Sequence, residues 1–310
     1  SSYFVSDVNE EAFLQQKTNI QPKIEGLGSN NWAISGKKSA TGYPILANDP
    51  HLELTLPSIW YQVQLHAPDV NVYGVSLPGI PTVIIGYNKH IAWGVTNVDA
   101  DVYDLYKIKF KDDSRNSYWH DNQWKNTILR EEFIYVKGQK HPVKERIVYT
   151  HHGPVTEHSS EKVSSPDLAV RWIGHETGAS MMTFYDLNRA TNYKEYRAAM
   201  AKYVGPAQNF VFADHANDIA ITVNGKFPLK YKNQGKFLLD GTISTDDWQG
   251  WIPADQNPHS KNPERGFVSS ANQSSTDPTY PYYINWIFAP SERGIRINER
   301  LEIGRASCRE

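Results

Sequence analysis

The chain has 310 residues, room for one large domain or two modest ones and for a sizeable core. Hydrophobic residues at 39% and charged residues at 21% argue against wholesale disorder, and a net charge of −2 argues against a nucleic-acid surface built on basic excess. The longest strictly apolar runs are as short as Val83-Ile84-Ile85, against the roughly 20 residues that span a bilayer. Aromatics at 12% suit a β-rich protein.

Residues 1–28 are polar, with a short helical pattern from Glu10 to Gln16, and run through Gln21-Pro22 into Gly26-Leu27-Gly28. This reads as the end of one unit and a connector. From Ser29 short strand-like runs dominate, at 32–35, 45–47, 59–66, 70–76, 83–86 and 91–96, followed by a partly alternating run from Val102 to Phe110. Further strands fit 132–136, 143–150 and 168–173, punctuated by turn pairs such as Pro78-Gly79 and Gly153-Pro154. One helical region spans 181–189 and 192–203, with Phe184, Leu187, Tyr193, Tyr196, Met200 and Tyr203 at spacings of three and four. Strands resume at 209–213 and 219–223, and residues 224–265, rich in Gly, Asn, Asp and Pro, read as loop. A last helical pattern runs from Ser291 to Leu301. Beyond it, Glu302 to Glu310 reads like the in-frame translation of a sequencing adapter. The expectation is that this segment, with the only cysteine, Cys308, is foreign to the fold and that the gene is cut short. No disulfide or thiolate metal site is then expected in residues 1–301.

Three features carry potential chemistry. Gly28-Ser29 joins the polar lead to the β-rich body. A serine exposed there by chain cleavage would hold its own α-amine, of pKa about 7.7–8.0, beside its hydroxyl, and so combine nucleophile and base in one residue. By itself the pair also reads as a flexible linker. Asn48-Asp49-Pro50-His51 reads as a turn or as a placed histidine. Asp99, Asp101 and Asp104 read as a solvated strand end or as oxygen ligands for a hard cation. On a regular strand Asp101 and Asp104 point to opposite faces, so both reach one ion only if the backbone turns or bulges. His151-His152 show no metal-ligand spacing, and no H-E-x-x-H, Walker loop, G-x-G-x-x-G or G-x-S-x-G is present.

Taken in order, the segments resemble the penicillin acylase family of N-terminal nucleophile hydrolases. The matching runs are Gly28-Ser-Asn-Asn-Trp-Ala-Ile-Ser-Gly36, Pro44 to His51, Leu77-Pro-Gly-Ile-Pro81, Ile85 to Thr96, Asp104-Leu-Tyr106, His152-Gly-Pro-Val155 and Pro206 to Asp214. The resemblance runs from Gly28 to about Leu301. It implies an α+β fold, the αββα four-layer sandwich, here incomplete. It implies a precursor that cuts itself before Ser29, so that 1–28 is the end of an α chain or spacer and 29–301 is the N-terminal part of a catalytic β chain, with the α chain as partner in a heterodimer.

The resemblance also carries roles. Ser29 would be the nucleophile with its own α-amine as base. The Asn209 side chain and the Asn97 backbone N–H would form the oxyanion hole. His51, the 23rd residue counted from Ser29, would hold the amine and nucleophile in position. Penicillin G acylases carry Gln at that place, and cephalosporin and acyl-homoserine-lactone acylases carry His. Leu52 and Ile85 match acyl-pocket positions and imply an aliphatic or differently shaped acyl group. Asp101, the Tyr103 carbonyl and Asp104 match ligands of a structural calcium ion in some members. No organic cofactor, nucleic acid or membrane span is implied; the substrate is a small acylated amide, and the location is the periplasm or outside the cell. Two rivals make separate predictions. A metal-dependent hydrolase would lose activity to a chelator and survive Ser29→Ala, and an aromatic-rich β-domain binding glycan or peptide would bind without turnover.

Overall fold

The computed structural model describes residues 28–156 and 167–302. The helix expected from Glu10 to Gln16 and the segment around Cys308 lie outside them. In chain order the strands are β1 (Gly28–Ile34), β2 (Ile45–His51), β3 (Tyr61–Ala67), β4 (Val70–Ser76), β5 (Ile85–Asn88), β6 (Ile91–Asn97), β7 (Tyr103–Lys107), β8 (Ser117–His120), β9 (Gln123–Asn126), β10 (Ile128–Ile134), β11 (Val143–Tyr149), β12 (Val155–Thr156) and β13 (Leu168–Trp172). The helices α1 (Ser180–Leu187) and α2 (Tyr193–Met200) follow, then β14 (Gln208–Asp214), β15 (Ile219–Asn224), β16 (Leu239–Asp240), β17 (His259–Lys261), β18 (Phe267–Ser270) and α3 (Glu292–Glu302).

Two antiparallel sheets are stacked. One has the order β18-β1-β2, the other β17-β15-β14-β6-β5-β4-β3, and β1 and β2 lie over β6 and β14. The two-residue period of a strand assigns each side chain to a layer. Val211 and Ala213 of β14 meet Ala33, Val268 and Ile219 between the sheets. Phe210 and Phe212 turn the other way, onto Phe184, Leu187, Tyr196 and Met200 of α1 and α2. On the far side, Ile297 and Leu301 of α3 pack against Trp32, Ile34 and Phe267. The layers therefore run helix, sheet, sheet, helix, as the resemblance implied. A second unit, the sheet β12-β13-β7-β16 with the hairpins β8-β9 and β10-β11, has its own core around Tyr106, Tyr118, Val148 and Ala169.

A polar staple joins the sheets beneath the β1 terminus. Asn48 Oδ1 accepts from Val95 N at 2.8 Å, and its Nδ2 donates to Val95 O at 2.9 Å and Asn30 O at 3.1 Å. Gly94 makes room for it, since a Cβ there would sit 2.6 Å from the Asn48 side chain. Asn48 to His51 is thus strand rather than turn. Pro50 is tolerated because β2 is an edge strand, where a missing N–H breaks no ladder bond. The β8-β9 hairpin, which strand-like composition did not flag, turns on Asp121 and Asn122, with φ of 48° and 59°.

Candidate active site

Ser29 lies in β1 opposite Pro50, on the face turned toward the seven-stranded sheet, and is buried. Its Oγ donates to Gly28 O at 2.6 Å, so the hydroxyl rests against the peptide carbonyl that precedes it. Its backbone N–H donates to Asn272 Oδ1 at 2.6 Å. Asn272 follows β18 and has φ of 65°, a left-handed conformation that Asn adopts more readily than most residues. Its Nδ2 donates to Asn97 O at 2.9 Å. Arg293, in the first turn of α3, donates to Ser29 O at 2.9 Å, Asn30 Oδ1 at 2.8 Å and Asn272 Oδ1 at 3.0 Å. A cation and a carboxamide therefore hold the Ser29 backbone, one at its carbonyl and the other at its N–H. A Cβ at Gly28 would lie 2.7 Å from the Arg293 guanidinium, so a side chain there would have to displace it.

The other sequence-derived residues divide. Asn97 ends β6, and its carbonyl accepts from both Asn272 and Asn209. Asn209 is fully buried in β14. Its Nδ2 lies 3.2 Å from Thr96 Oγ1, 3.2 Å from Asn97 O and 3.1 Å from Ser270 Oγ, and its Oδ1 accepts from Ser275. That carboxamide is engaged within the sheet interface, while Asn272 touches Ser29 directly. His51 pairs with Gly28 in the strand register. Its Nε2 is 2.6 Å from Asp49 Oδ2 and 3.4 Å from Asn30 Nδ2, so its carboxylate partner is two residues away on the same strand face. Leu52 is exposed beyond β2, and Ile85 is half-buried against the cluster that holds Trp93 and Val95.

Asp101 and Asp104 converge, because β7 begins only at Tyr103 and the backbone before it is irregular. What lies between them is Lys230. Its Nζ is 3.0 Å from Asp101 Oδ2, 2.7 Å from Asp104 Oδ2 and 3.3 Å from Asp101 O, and its side chain is 1% exposed. Tyr283 donates to Asp101 at 2.8 Å and Trp248 to Asp104 at 2.6 Å. Burial raises the Asp104 carboxyl above the usual range, against the pull of the Lys230 ammonium. Tyr103 pairs with Trp172, and its ring packs with Leu105 and Leu168. Asp104 Oδ1 has no partner among the described residues. The oxygen set expected for calcium is thus closed around an internal ammonium, and the residues present do not fit a second cation there.

Sequence patterns missed Asn272, Arg293 and Lys230. Asn272 lies in Ser-Ala-Asn-Gln, where nothing periodic marks it, and Lys230 lies in the stretch read as loop. Only the fold brings them to Ser29 and to Asp101.

The model of the family described as penicillin amidase matches residues 3–309. An acyl-homoserine lactone acylase of Pseudomonas aeruginosa is 32% identical over 280 residues, covering 87% of this chain and 33% of its own. The chain belongs to the penicillin amidase family. Another member, a penicillin acylase 2 proenzyme of a Pseudomonas species, is 29% identical over 288 residues, covering 89% of this chain and 35% of its own. The solved thermostable penicillin G acylase from Alcaligenes faecalis superposes with a TM-score of 0.72 at 23% identity, over 87% of this chain and 49% of its own. That likeness confirms the four-layer family fold. The chain spans about a third of the length of the curated relatives it matches. Among the described residues no helix is long and apolar enough to cross a membrane.

Proposed function

We propose that this chain carries the catalytic terminus of an amide-bond hydrolase, with Ser29 as nucleophile once the Gly28-Ser29 bond has been cut. The observation that carries the reading is the double grip on Ser29: hydroxyl against the Gly28 carbonyl, nitrogen on Asn272. In maturation Ser29 Oγ attacks the Gly28 carbonyl carbon. The C–N bond breaks, the nitrogen takes a proton, and the Gly28 acyl group rests on Oγ as an ester. Water then frees a Gly28 carboxylate and a Ser29 α-amine.

In turnover that amine accepts the hydroxyl proton as Oγ attacks the substrate carbonyl. Asn272 Oδ1 already accepts from this nitrogen, which fixes the direction of its lone pair. The Arg293 cation beside it disfavours a protonated amine and keeps the base free. The oxyanion is received by the Asn97 N–H and a carboxamide. Asn272 supplies the carboxamide; Asn209, expected in that role, holds the wall behind it. The amine product leaves with the proton, and water releases the acid. His51, oriented by Asp49, steadies the mouth of the β1-β2 pair.

The substrate class is a linear N-acyl amide, with Leu52 and Ile85 on the acyl side favouring an aliphatic chain. The acyl-homoserine lactone acylase named above makes N-acyl-homoserine lactones the first compounds to try. The partner is the chain's own N-terminal portion, and the setting is the periplasm or the cell exterior. No step uses calcium, since Lys230 supplies the positive charge between Asp101 and Asp104. The test is amine release from a panel of N-acyl amides by the complete mature protein. Turnover that survives EDTA and is lost in Ser29→Ala supports the reading; turnover that survives Ser29→Ala overturns it.

A further inference from the structure

The second unit contains a histidine cluster that the Ser29 chemistry does not use. His120 ends β8, His151 and His152 occupy the turn between β11 and β12, and Asp247 follows β16. Residues far apart in the chain thus point imidazoles at one carboxylate. His152 Nε2 lies 2.8 Å from Asp247 Oδ1, and His151 Nε2 and His120 Nε2 lie 3.1 Å and 3.4 Å from Asp247 Oδ2. The ligand atoms of all four residues fall within 4.8 Å of one another. Zinc bonds of about 2.0–2.1 Å place tetrahedral ligand atoms roughly 3.3–3.4 Å apart, so a small contraction converts the cluster into a coordination shell.

Each ring is also held at its other nitrogen. His120 Nδ1 faces Gly241 O at 3.1 Å, His151 Nδ1 faces Tyr118 OH at 2.9 Å, and His152 Nδ1 faces Thr150 Oγ1 at 3.4 Å. Outer partners of this kind fix the tautomer and aim of metal-bound imidazoles. The His120 contact is decisive. A carbonyl only accepts, so Nδ1 donates to it, and this fixes the ring with Nε2, the atom left for a metal, aimed at Asp247 Oδ2 and at Asp121 Oδ2, 3.5 Å away. His120 is 2% exposed, so this nitrogen meets its partners inside the fold. His151, with its side chain 37% exposed, leaves a route in from solvent.

We propose that His120, His151, His152 and Asp247 form a structural site for zinc or a similar borderline divalent metal, which pins the β8-β9 hairpin to the four-stranded sheet. Three imidazoles and one carboxylate suit zinc better than calcium, which prefers an all-oxygen shell. The site shares no residue with the Ser29 cluster, so its fate is independent of the proposed hydrolysis.

The test starts from the complete protein stripped with a chelator and dialysed against zinc, with metal content measured after desalting. One zinc per chain is expected, and cobalt substitution is expected to give the visible absorption of a tetrahedral site. His151→Ala, the exposed ligand, should weaken zinc binding by at least the roughly 10–100-fold that loss of an outer partner costs, and Tyr118→Phe should fall in that range. Thermal unfolding should rise with zinc in the wild type and not in His151→Ala, with circular dichroism confirming that the variant is folded. Less than a tenth of an equivalent retained by wild type, or unchanged retention in folded His151→Ala and Asp247→Asn, would overturn the proposal.

Discussion

Replacing Lys230 by Met removes the ammonium that joins Asp101 and Asp104 while keeping most of the side-chain volume. The three side chains are 1%, 7% and 0% exposed, so neither carboxylate can turn to water. Breaking a buried pair by deleting one partner costs about 3–5 kcal/mol, because the remaining charge is left uncompensated. Against a total stability of about 5–15 kcal/mol that is a large share. At roughly 2 °C per kcal/mol for a long chain, the unfolding midpoint should fall by about 6–10 °C. Scanning calorimetry on the complete protein measures it. Adding Asp101→Asn and Asp104→Asn to Lys230→Met should recover part of the loss, since the tyrosine and tryptophan donors keep their acceptors. Calcium or EGTA should not move the wild-type midpoint. A Lys230→Met midpoint within a degree of wild type, or a wild-type midpoint raised by calcium, would refute the internal-ammonium argument.

The two asparagines separate by assay: Asn272→Ala should lower kcat by about 10²–10³ in folded, mature protein, the usual cost of one oxyanion donor, as read by steady-state kinetics. Asn209→Ala should instead cost about 1–3 kcal/mol in denaturant unfolding, because Ser275 and Ser270 lose buried partners, with turnover per folded molecule little changed. Gly94→Ala drives a methyl into Asn48 and should destabilise by about 1–3 kcal/mol, checked by the same unfolding. The acid limb of kcat/KM should reflect an amine base that works only when unprotonated, so the rate falls as pH drops below its pKa. Arg293→Leu removes a neighbouring cation, raises that pKa and should move the limb to higher pH; a limb shifted the other way would count against the base assignment.

Much of the scaffold was legible because its periodicities are local. Phe210 and Phe212 alternate with Val211 and Ala213, and the two sets fall in different layers. The spacing of Phe184, Leu187, Tyr196 and Met200 marks α1 and α2 within three residues of their ends. Composition misled at Asn48 to His51, where turn residues form an edge strand because Asn48 is a bridge between sheets. The site was half legible. Ser29 and His51 lie in runs whose order carried the resemblance, and Asn97 directly follows one. Asn272 and Arg293 meet Ser29 from 243 and 264 residues away, and no local pattern encodes such a contact. The aspartates likewise suggested an ion until the fold brought Lys230 between them.

The central claim is that Ser29 cuts its own chain and then works from the new terminus. Intact mass and terminal sequencing of protein expressed from the complete gene, beside Ser29→Ala, test it most directly. The account predicts two chains in the wild type, one beginning at Ser29, and a single uncut chain in the variant. A folded wild type left as one chain, or a variant cut at the same bond, would contradict it.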